Sequence, residues 1–299
     1  AAVAVHLQMT PPGVSMQLAA LEREAGLPRT ERRGRRVVLT AAGKGLARHG
    51  HDLADMVAVA EMELATLREG RTGTYRLAAF PTAARSFVAD AWRGLLSSSD
   101  NGLALHVVEC EPQDALPTLA EGTVDLAVTH SYSNVAVLPS PALVADPLAV
   151  EEVLLAVPAE AGAGALSSGA LPPVALGDYA HHDWVLPHSR WTCHEMVQRA
   201  CGAAGFAPRP VAEATDCAVQ LALVAAGVGV ALVPQLGCTD IPGGVELRRL
   251  RDPVHRTLFT VTRSTSRGDL GLLHVRHLLH QAVAAAGMAP LGGHGQPSA

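Results

Sequence analysis

Aromatic residues, paired cysteines and long apolar runs are all scarce in this chain. Aromatic side chains make up 3% of its 299 residues although 48% are hydrophobic, so Ala, Val and Leu must build most of the core. The five cysteines are an odd number without CxxC spacing, which argues against a disulfide scaffold or a metal site. No apolar run approaches the ~18–20 residues that span a bilayer, and no basic-then-apolar secretory segment is present. These absences predict a protein of the reducing cytoplasm with no membrane partner.

The motifs of common enzyme classes are also missing. The 14 histidines form no HExxH pair, and His181 and His182 are adjacent, so they do not share a helix face as metal ligands would. No GxSxG nucleophile elbow occurs. Gly227 and Gly229 lack a third glycine and precede a predicted strand, whereas a dinucleotide-binding loop follows one. We therefore predict that the chain is not an enzyme and needs no metal or other cofactor.

The charge of the chain is unevenly distributed. Residues 1–47 hold seven Lys and Arg against three Asp and Glu, a net charge of +4. The whole chain has a net charge of −5, so the remainder carries −9. A basic end on an acidic body is typical of a protein whose terminal domain alone meets phosphates. This pattern predicts a phosphate-bearing partner for the terminal domain, and the helix and arginine turn described next make double-stranded DNA the candidate.

One helix is well marked near the start. Thr10 is a good N-cap, and Pro11 or Pro12 suits the first turn, where a missing N–H costs nothing. Gly26 is placed to end the helix. Three apolar residues of this helix recur with 3.6-residue spacing, namely Val14, Leu18 and Leu21. Their spacing predicts the buried face of the helix.

Polar and basic residues occupy the other faces of this helix and the turn after it. Ser15 and Gln17 lie off the apolar stripe and can reach base edges, as residues of a recognition helix do in the major groove. The following turn can clamp the flanking phosphates with four arginines, which are Arg32, Arg33, Arg35 and Arg36. From residue types alone, an ordinary surface helix followed by a solvated arginine turn stays equally open.

The order and spacing of these residues resemble the winged helix-turn-helix of LysR-type transcriptional regulators. The matching positions are Pro12, Val14, Ser15, Gln17, Leu21, Glu22, Gly26, Glu31, Arg32, Arg36, Val38, Leu39, Thr40 and Gly43. Three later stretches, 105–109, 122–128 and 223–234, also resemble the family. The resemblance implies a DNA-binding domain over residues 1–45, a linker and dimerisation helix over 46–72 and an effector-binding domain over 73–299. The DNA-contacting residues are then expected to be Thr10, Pro12, Ser15, Gln17, Arg32, Arg33, Arg35 and Arg36.

The chain departs from the family pattern near its start. It begins where the second helix of the family would begin, so the first helix is expected to be absent. Arg29 and Thr30 stand at positions that are usually bulky and apolar, and Met16 replaces a basic or polar residue of the recognition helix. An alternative hypothesis is therefore a truncated regulator fragment that dimerises and binds ligand but not DNA.

Residues 42–70 are predicted to form one long helix with a heptad-like apolar seam. The residues of the seam are Leu46, Leu53, Val57, Ala60, Leu64 and Leu67. The resemblance favours a linker helix that pairs with a second subunit, and hence a homodimer or homotetramer. A helix packed on its own domain shows a similar stripe, so that alternative stays open.

From residue 74 onward, strand-like apolar runs alternate with helical patterns. Such alternation predicts parallel sheets covered by helices. The resemblance implies a two-lobed, periplasmic-binding-protein-like α/β effector domain of parallel-rich sheets, in which two crossover strands join the lobes. Subdomain I is expected over about 73–155 and 256–290, and subdomain II over about 156–255. A two-lobed solute-binding protein is another alternative, against which the arginine turn and the lack of a signal segment argue.

Ligands of such sheets bind at the carboxyl ends of strands, near helix N-termini. The candidate effector-contacting residues at these positions are Pro81, Thr82, Ala83, Thr129, His130, Pro187, His188, Ser189 and Thr215. For each of them, a simple helix cap is the alternative interpretation. Thr82 and Ser189 are each predicted to open a helix that faces a common cleft. Because few charged residues flank these turns, we predict a small carboxylate or similarly polar metabolite as the effector.

Cys193 and Cys201 lie eight residues apart on one predicted helix. The resemblance makes redox sensing an alternative, because peroxide-sensing relatives carry a cysteine pair in this general region. Eight residues of helix span ~12 Å, which is too far for a disulfide without unfolding. Structural buried cysteines are therefore the favoured interpretation.

Overall fold

The computed structural model describes residues 9–33, 36–47, 49–50, 53, 57, 73–97, 102–135, 142–159, 172–266 and 268–290. The chain divides into two compact units, Ala1–Val57 with Gly292–Ala299, and Ala58–Leu291. Arg35 and most of the linker helix predicted over residues 42–70 lie outside the described residues.

The first unit contains the predicted recognition helix with both of its predicted ends. Helix α1 (Pro11–Ala25) starts after Thr10, whose hydroxyl accepts a hydrogen bond from the backbone N–H of Gly13 at 3.3 Å. It ends at Gly26, whose φ of 66° lies in the left-handed region that favours glycine. The local capping signals therefore identified this helix correctly.

A basic β-hairpin follows α1, as predicted. Strands β1 (Thr30–Arg33) and β2 (Arg36–Leu39) pair antiparallel. Glu22 joins the hairpin to α1, because its Oε1 accepts hydrogen bonds from the backbone N–H groups of Arg29 at 2.7 Å and Thr30 at 2.9 Å. These backbone donors lower the pKa of the Glu22 carboxyl below its usual value.

The apolar stripe of α1 is less buried than its spacing predicts. Val14 and Leu18 are half-buried, and Leu21 is 43% exposed. The described residues of this unit that follow α1 form the hairpin and helical stretches at 41–47, 49–50, 53 and 57.

The second unit is built on an eight-stranded sheet and a separate two-stranded pair. Its strands are β3 (Gly73–Ala79), β4 (Leu103–Glu109), β5 (Leu126–Tyr132), β6 (Leu143–Pro158), β7 (Asp183–Leu186), β8 (Arg209–Glu213), β9 (Ala231–Pro234), β10 (Val245–Arg249), β11 (His255–Arg263) and β12 (Ala289–Pro290). The large sheet has the order β10-β6-β11-β5-β3-β4, and β9 and β12 also pair with β6. The predicted parallel pairing is present between β3 and both β4 and β5, and between β7 and β8.

Strand β6 runs through both halves of this unit, which are the two lobes that the family resemblance implies. Its residues up to Glu152 pair antiparallel with β11, and those from Val153 onward pair with β9 and β10. Strands β6 and β11 are therefore the two crossover strands that the family resemblance implies. They add antiparallel pairing to the otherwise parallel strands.

Helical segments cover the sheets of the second unit. They are α2 (Pro81–Ala83, the π-helical turn Ala84–Val88 and Ala89–Ser97), α3 (Pro112–Ala120), α4 (Thr192–Ala203), α5 (Cys217–Ala225) and α6 (Leu270–Ala285). Each half has its own apolar core, with Phe87 and Leu279 fully buried in the first and Trp184 and Met196 in the second. Few aromatics are needed because Ala, Val and Leu supply most of both cores.

Two local predictions at strand ends are wrong. The helix expected to open at Ser189 starts only at Thr192, because residues 188–191 form a turn in which Nδ1 of His188 accepts a hydrogen bond from the backbone N–H of Arg190 at 3.3 Å. Thr129 and His130, expected at the carboxyl end of a strand predicted over residues 124–129, lie inside β5. The strand extends further along the chain than predicted because its pairing with β11 continues to Tyr132.

Candidate functional site

A small cavity lies where the carboxyl end of β3 and the strand β5 meet residues of the second half of the unit. Its volume of about 30 Å³ is enough for one or two water molecules. The predicted effector-site residues that line it are Pro81, Thr82, His130, Pro187 and Thr215.

The other four predicted residues do not line this cavity. Ala83 is fully buried in the core of the first half. Thr129 points to the opposite side of β5 from His130, because alternate residues of a strand face opposite ways. His188 and Ser189 are exposed in the turn before α4, where the backbone N–H of His188 donates to the hydroxyl of Thr215 at 3.2 Å.

A buried ion pair that the sequence analysis missed adjoins the cavity. Arg256 of β11 lines it, and its Nε and Nη2 each lie 2.7 Å from Oε1 of Glu151 on β6. Nη2 also donates to the hydroxyl of Thr82 at 3.2 Å. The side chains of Arg256 and Glu151 are 4% and 2% exposed. The pair therefore ties the first turn of α2 to both crossover strands.

The surroundings of this pair keep the arginine charged. Burial alone would lower the pKa of Arg256, but the Glu151 carboxylate beside it raises that pKa above its usual value. The second carboxylate oxygen of Glu151 accepts a hydrogen bond from the backbone N–H of Leu236 at 2.5 Å. The partners are 105 residues apart in sequence. The signal that could have revealed them is an opposite charge on each of two strands, Glu151 on β6 and Arg256 on β11.

His130 forms another part of the cavity wall. Its Nε2 lies 3.6 Å from a carboxylate oxygen of Glu111, and its ring packs edge-on against Phe80 and Tyr132. Nδ1 is buried and has no hydrogen-bond partner in the described part of the chain. Burial lowers the pKa of His130, although Glu111 acts in the opposite direction. The imidazole is therefore neutral at pH 7.

Asp216, rather than Thr215, caps helix α5 beside the cavity. Its Oδ1 accepts hydrogen bonds from the backbone N–H groups of Ala218 at 2.7 Å and Val219 at 3.2 Å. A carboxylate thus already occupies the N-terminus of this helix, where it interacts favourably with the helix dipole. These backbone donors are not available to an anionic ligand.

Three cysteines around α4 and the cavity have thiols whose pKa values are raised by burial. All five cysteines of the chain are free, and Cys193 and Cys217 line the cavity. Burial raises the pKa of Cys193 to about 12 and that of Cys217 to about 11. Cys201 lies with Cys193 on α4, and burial raises its pKa to about 12. Because the thiolate is the reactive form, these values argue against redox sensing.

The predicted DNA-contacting residues lie on two elements of the first unit. Ser15 and Gln17 are exposed on α1, and Thr10 and Pro12 stand at the start of that helix. The arginines within the described residues lie on the hairpin, with Arg32 and Arg33 in β1 and Arg36 in β2.

Membrane-spanning helices and metal clusters are both missing from the described residues. No helix among them combines the length and apolar character needed to cross a membrane. Within the same residues, no group of three His, Cys, Asp or Glu is arranged to hold a metal ion.

Known proteins resemble both units. Residues 68–284 match the family described as the LysR substrate binding domain, and residues 1–44 match the bacterial regulatory helix-turn-helix protein, lysR family. The chain is 31% identical over 233 residues to the HTH-type transcriptional regulator IlvR of Caulobacter vibrioides, covering 77% of this chain and 75% of that protein. It is 30% identical over 268 residues to a probable hydrogen peroxide-inducible genes activator of Streptomyces viridosporus, covering 85% and 82%.

A solved structure shows the same fold. Full-length BenM aligns with a TM-score of 0.61 at 20% identity, covering 96% of this chain and 92% of that one. The family matches extend over helix α1, the hairpin and both lobes around the cavity, and they are to regulators rather than enzymes. The chain belongs to the LysR family of transcriptional regulators.

Proposed function

We propose that this regulator binds double-stranded DNA in the cytoplasm through α1 and the arginine hairpin, and that a small carboxylate or similarly polar metabolite in the cavity controls this binding. The observation that carries the effector proposal is Arg256, a buried cation in the cavity wall. Both family matches support a DNA-binding regulator with an effector domain.

Arg256 and Thr82 together offer hydrogen-bond donors to a carboxylate. A guanidinium has five N–H donors, and the contacts with Glu151 and Thr82 use those of Nε and Nη2. The Thr82 hydroxyl accepts from Arg256, so its own hydrogen is available to a ligand. Because the cavity admits only one or two waters, a metabolite enters it only if the lining rearranges. This rearrangement is the conformational signal of the proposed mechanism.

The DNA-binding proposal predicts two different mutant phenotypes. Arg33→Ala should weaken binding to all DNA sequences alike and reduce the slope of log K against log salt by about 1, because one phosphate contact is lost. Gln17→Ala should instead change the preference at about one base pair. Gel shifts on specific and random duplexes at several salt concentrations measure both effects.

Arg23→Ala is the matched control for the arginine variant, because Arg23 is exposed at the end of α1 and outside the predicted contact set. It should change the salt slope less than Arg33→Ala does. Salt-independent binding by the unmutated chain would contradict the proposed interface.

We further propose that residues 46–67 pair with a second subunit in a homodimer or homotetramer. Leu53 and Val57 on this segment are 62% and 57% exposed. Leu53→Asp should convert the oligomer to a monomer, because it places an unpaired charge in an apolar interface. Light scattering measures the mass, and Ala47→Asp adds the same charge at an exposed position outside the seam. A monomeric unmutated chain would refute this assembly.

A further inference from the structure

One residue that lines the cavity carries a buried hydrogen-bond acceptor with no donor among the described residues. Gln220 of α5 lines the cavity and is 2% exposed. Its Nε2 donates to the carbonyl oxygen of Ala214 at 2.6 Å, which fixes the orientation of the amide. Its Oε1 is buried and has no hydrogen-bond partner in that part of the chain. An amide oxygen only accepts, so it requires an N–H or O–H group from whatever fills the cavity.

The charges around the cavity favour the same kind of group. Glu111 and Asp216 line it with carboxylates. Among the lining residues that the structure describes, Arg256 is the permanent cation, and Glu151 already balances its charge. The pKa of His130 is lowered, so its ring adds no positive charge at pH 7. A ligand with a carboxylate alone would add further negative charge to a desolvated site, which is costly.

We propose that the effector is a zwitterion of the α-amino-acid type, whose ammonium group is held by the carboxylate of Glu111 and the amide oxygen of Gln220. This inference rests on the proposed function, which supplies the carboxylate contacts at Arg256 and Thr82. An ammonium group has three N–H donors, so it can satisfy both acceptors at once. Glu111 precedes α3 in the first half and Gln220 lies on α5 in the second, so one ammonium group connects the two lobes.

The test uses the full chain and matched pairs of probes. Each common α-amino acid is compared with its des-amino carboxylic acid, for example alanine with propionate, by thermal shift and calorimetry. At least one amino acid should bind, and its des-amino partner should bind about tenfold or more weakly, as expected when a hydrogen bond to a charged group is lost. Glu111→Gln should weaken the amino acid to a similar extent. Glu109→Gln, which removes the same charge from an exposed position on β4 outside the cavity lining, should not.

Three results would overturn the inference. They are equal binding of an amino acid and its des-amino partner, unchanged binding to Glu111→Gln, and no binding by any amino acid. Thr82→Val separates this inference from the proposed function. If carboxylates without an amine bind and Thr82→Val weakens them, the proposed site stands and the amine assignment fails. If a probe binds equally well to Thr82→Val, the carboxylate site itself is in the wrong place.

Discussion

Replacement of Glu151 by alanine should destabilise the second unit (Ala58–Leu291), called here the effector-binding unit, by about 3–5 kcal/mol. The change leaves the Arg256 guanidinium charged, buried and unpaired. The same change removes the acceptor for the backbone N–H of Leu236. It also deprives Arg256, which contacts Thr82 at the start of α2, of its anionic partner. Urea unfolding followed by circular dichroism measures the free energy of unfolding.

Glu152→Ala is the neighbouring control. Glu152 pairs with Arg249 at the protein surface, so the loss should be about 0–1 kcal/mol. The double variant Glu151→Met with Arg256→Met should recover part of the loss, because no unpaired charge remains buried. Equal destabilisation by Glu151→Ala and Glu152→Ala would show that burial of the ion pair contributes little to stability.

Gly43→Ala should abolish DNA binding and leave the melting of the effector-binding unit unchanged. A Cβ at residue 43 would stand 2.1 Å from the carbonyl oxygen of Arg29, and a backbone atom cannot move aside as a flexible side chain does. The helix at residues 41–47 must then shift away from the segment that holds the hairpin on α1. The overpacking should cost about 1–3 kcal/mol. Gel shifts and calorimetric scanning measure the two effects.

Gly45, two residues further along the same helix, provides a matched control. A Cβ added at Gly45 would meet no atom of the described residues within 4 Å, so Gly45→Ala should keep DNA binding and stabilise the helix by about 0.5–1 kcal/mol. If both variants bind DNA as the unmutated chain does, the close approach to Arg29 has no functional role.

The parts of the molecule that local interactions determine could be predicted from the sequence. Helix α1 with Thr10 and Gly26 at its ends is one example, since caps are set by residues within a few positions. The start of α2 after β3 is another, and it placed Thr82 beside the cavity. Arg256, Glu151 and Gln220 could not be predicted in the same way, because their roles depend on partners brought together only by the fold. Ser189 shows the opposite failure, since a turn around His188 overrides the helical start that its neighbours suggest.

The path of β6 has a consequence for how the chain folds. Residues of β6 pair with residues of β11 that are far away in sequence. The separation is 103 positions for Glu152 and His255, and 120 positions for Leu143 and Arg263. Pairing over such separations is slow, because a long loop must close before the contact forms. The amino-terminal lobe cannot complete its sheet until β11 has been synthesised, and until then β6 exposes an unpaired edge that can join another chain. The two lobes should therefore unfold in one cooperative transition, and a chain that ends before residue 255 should aggregate.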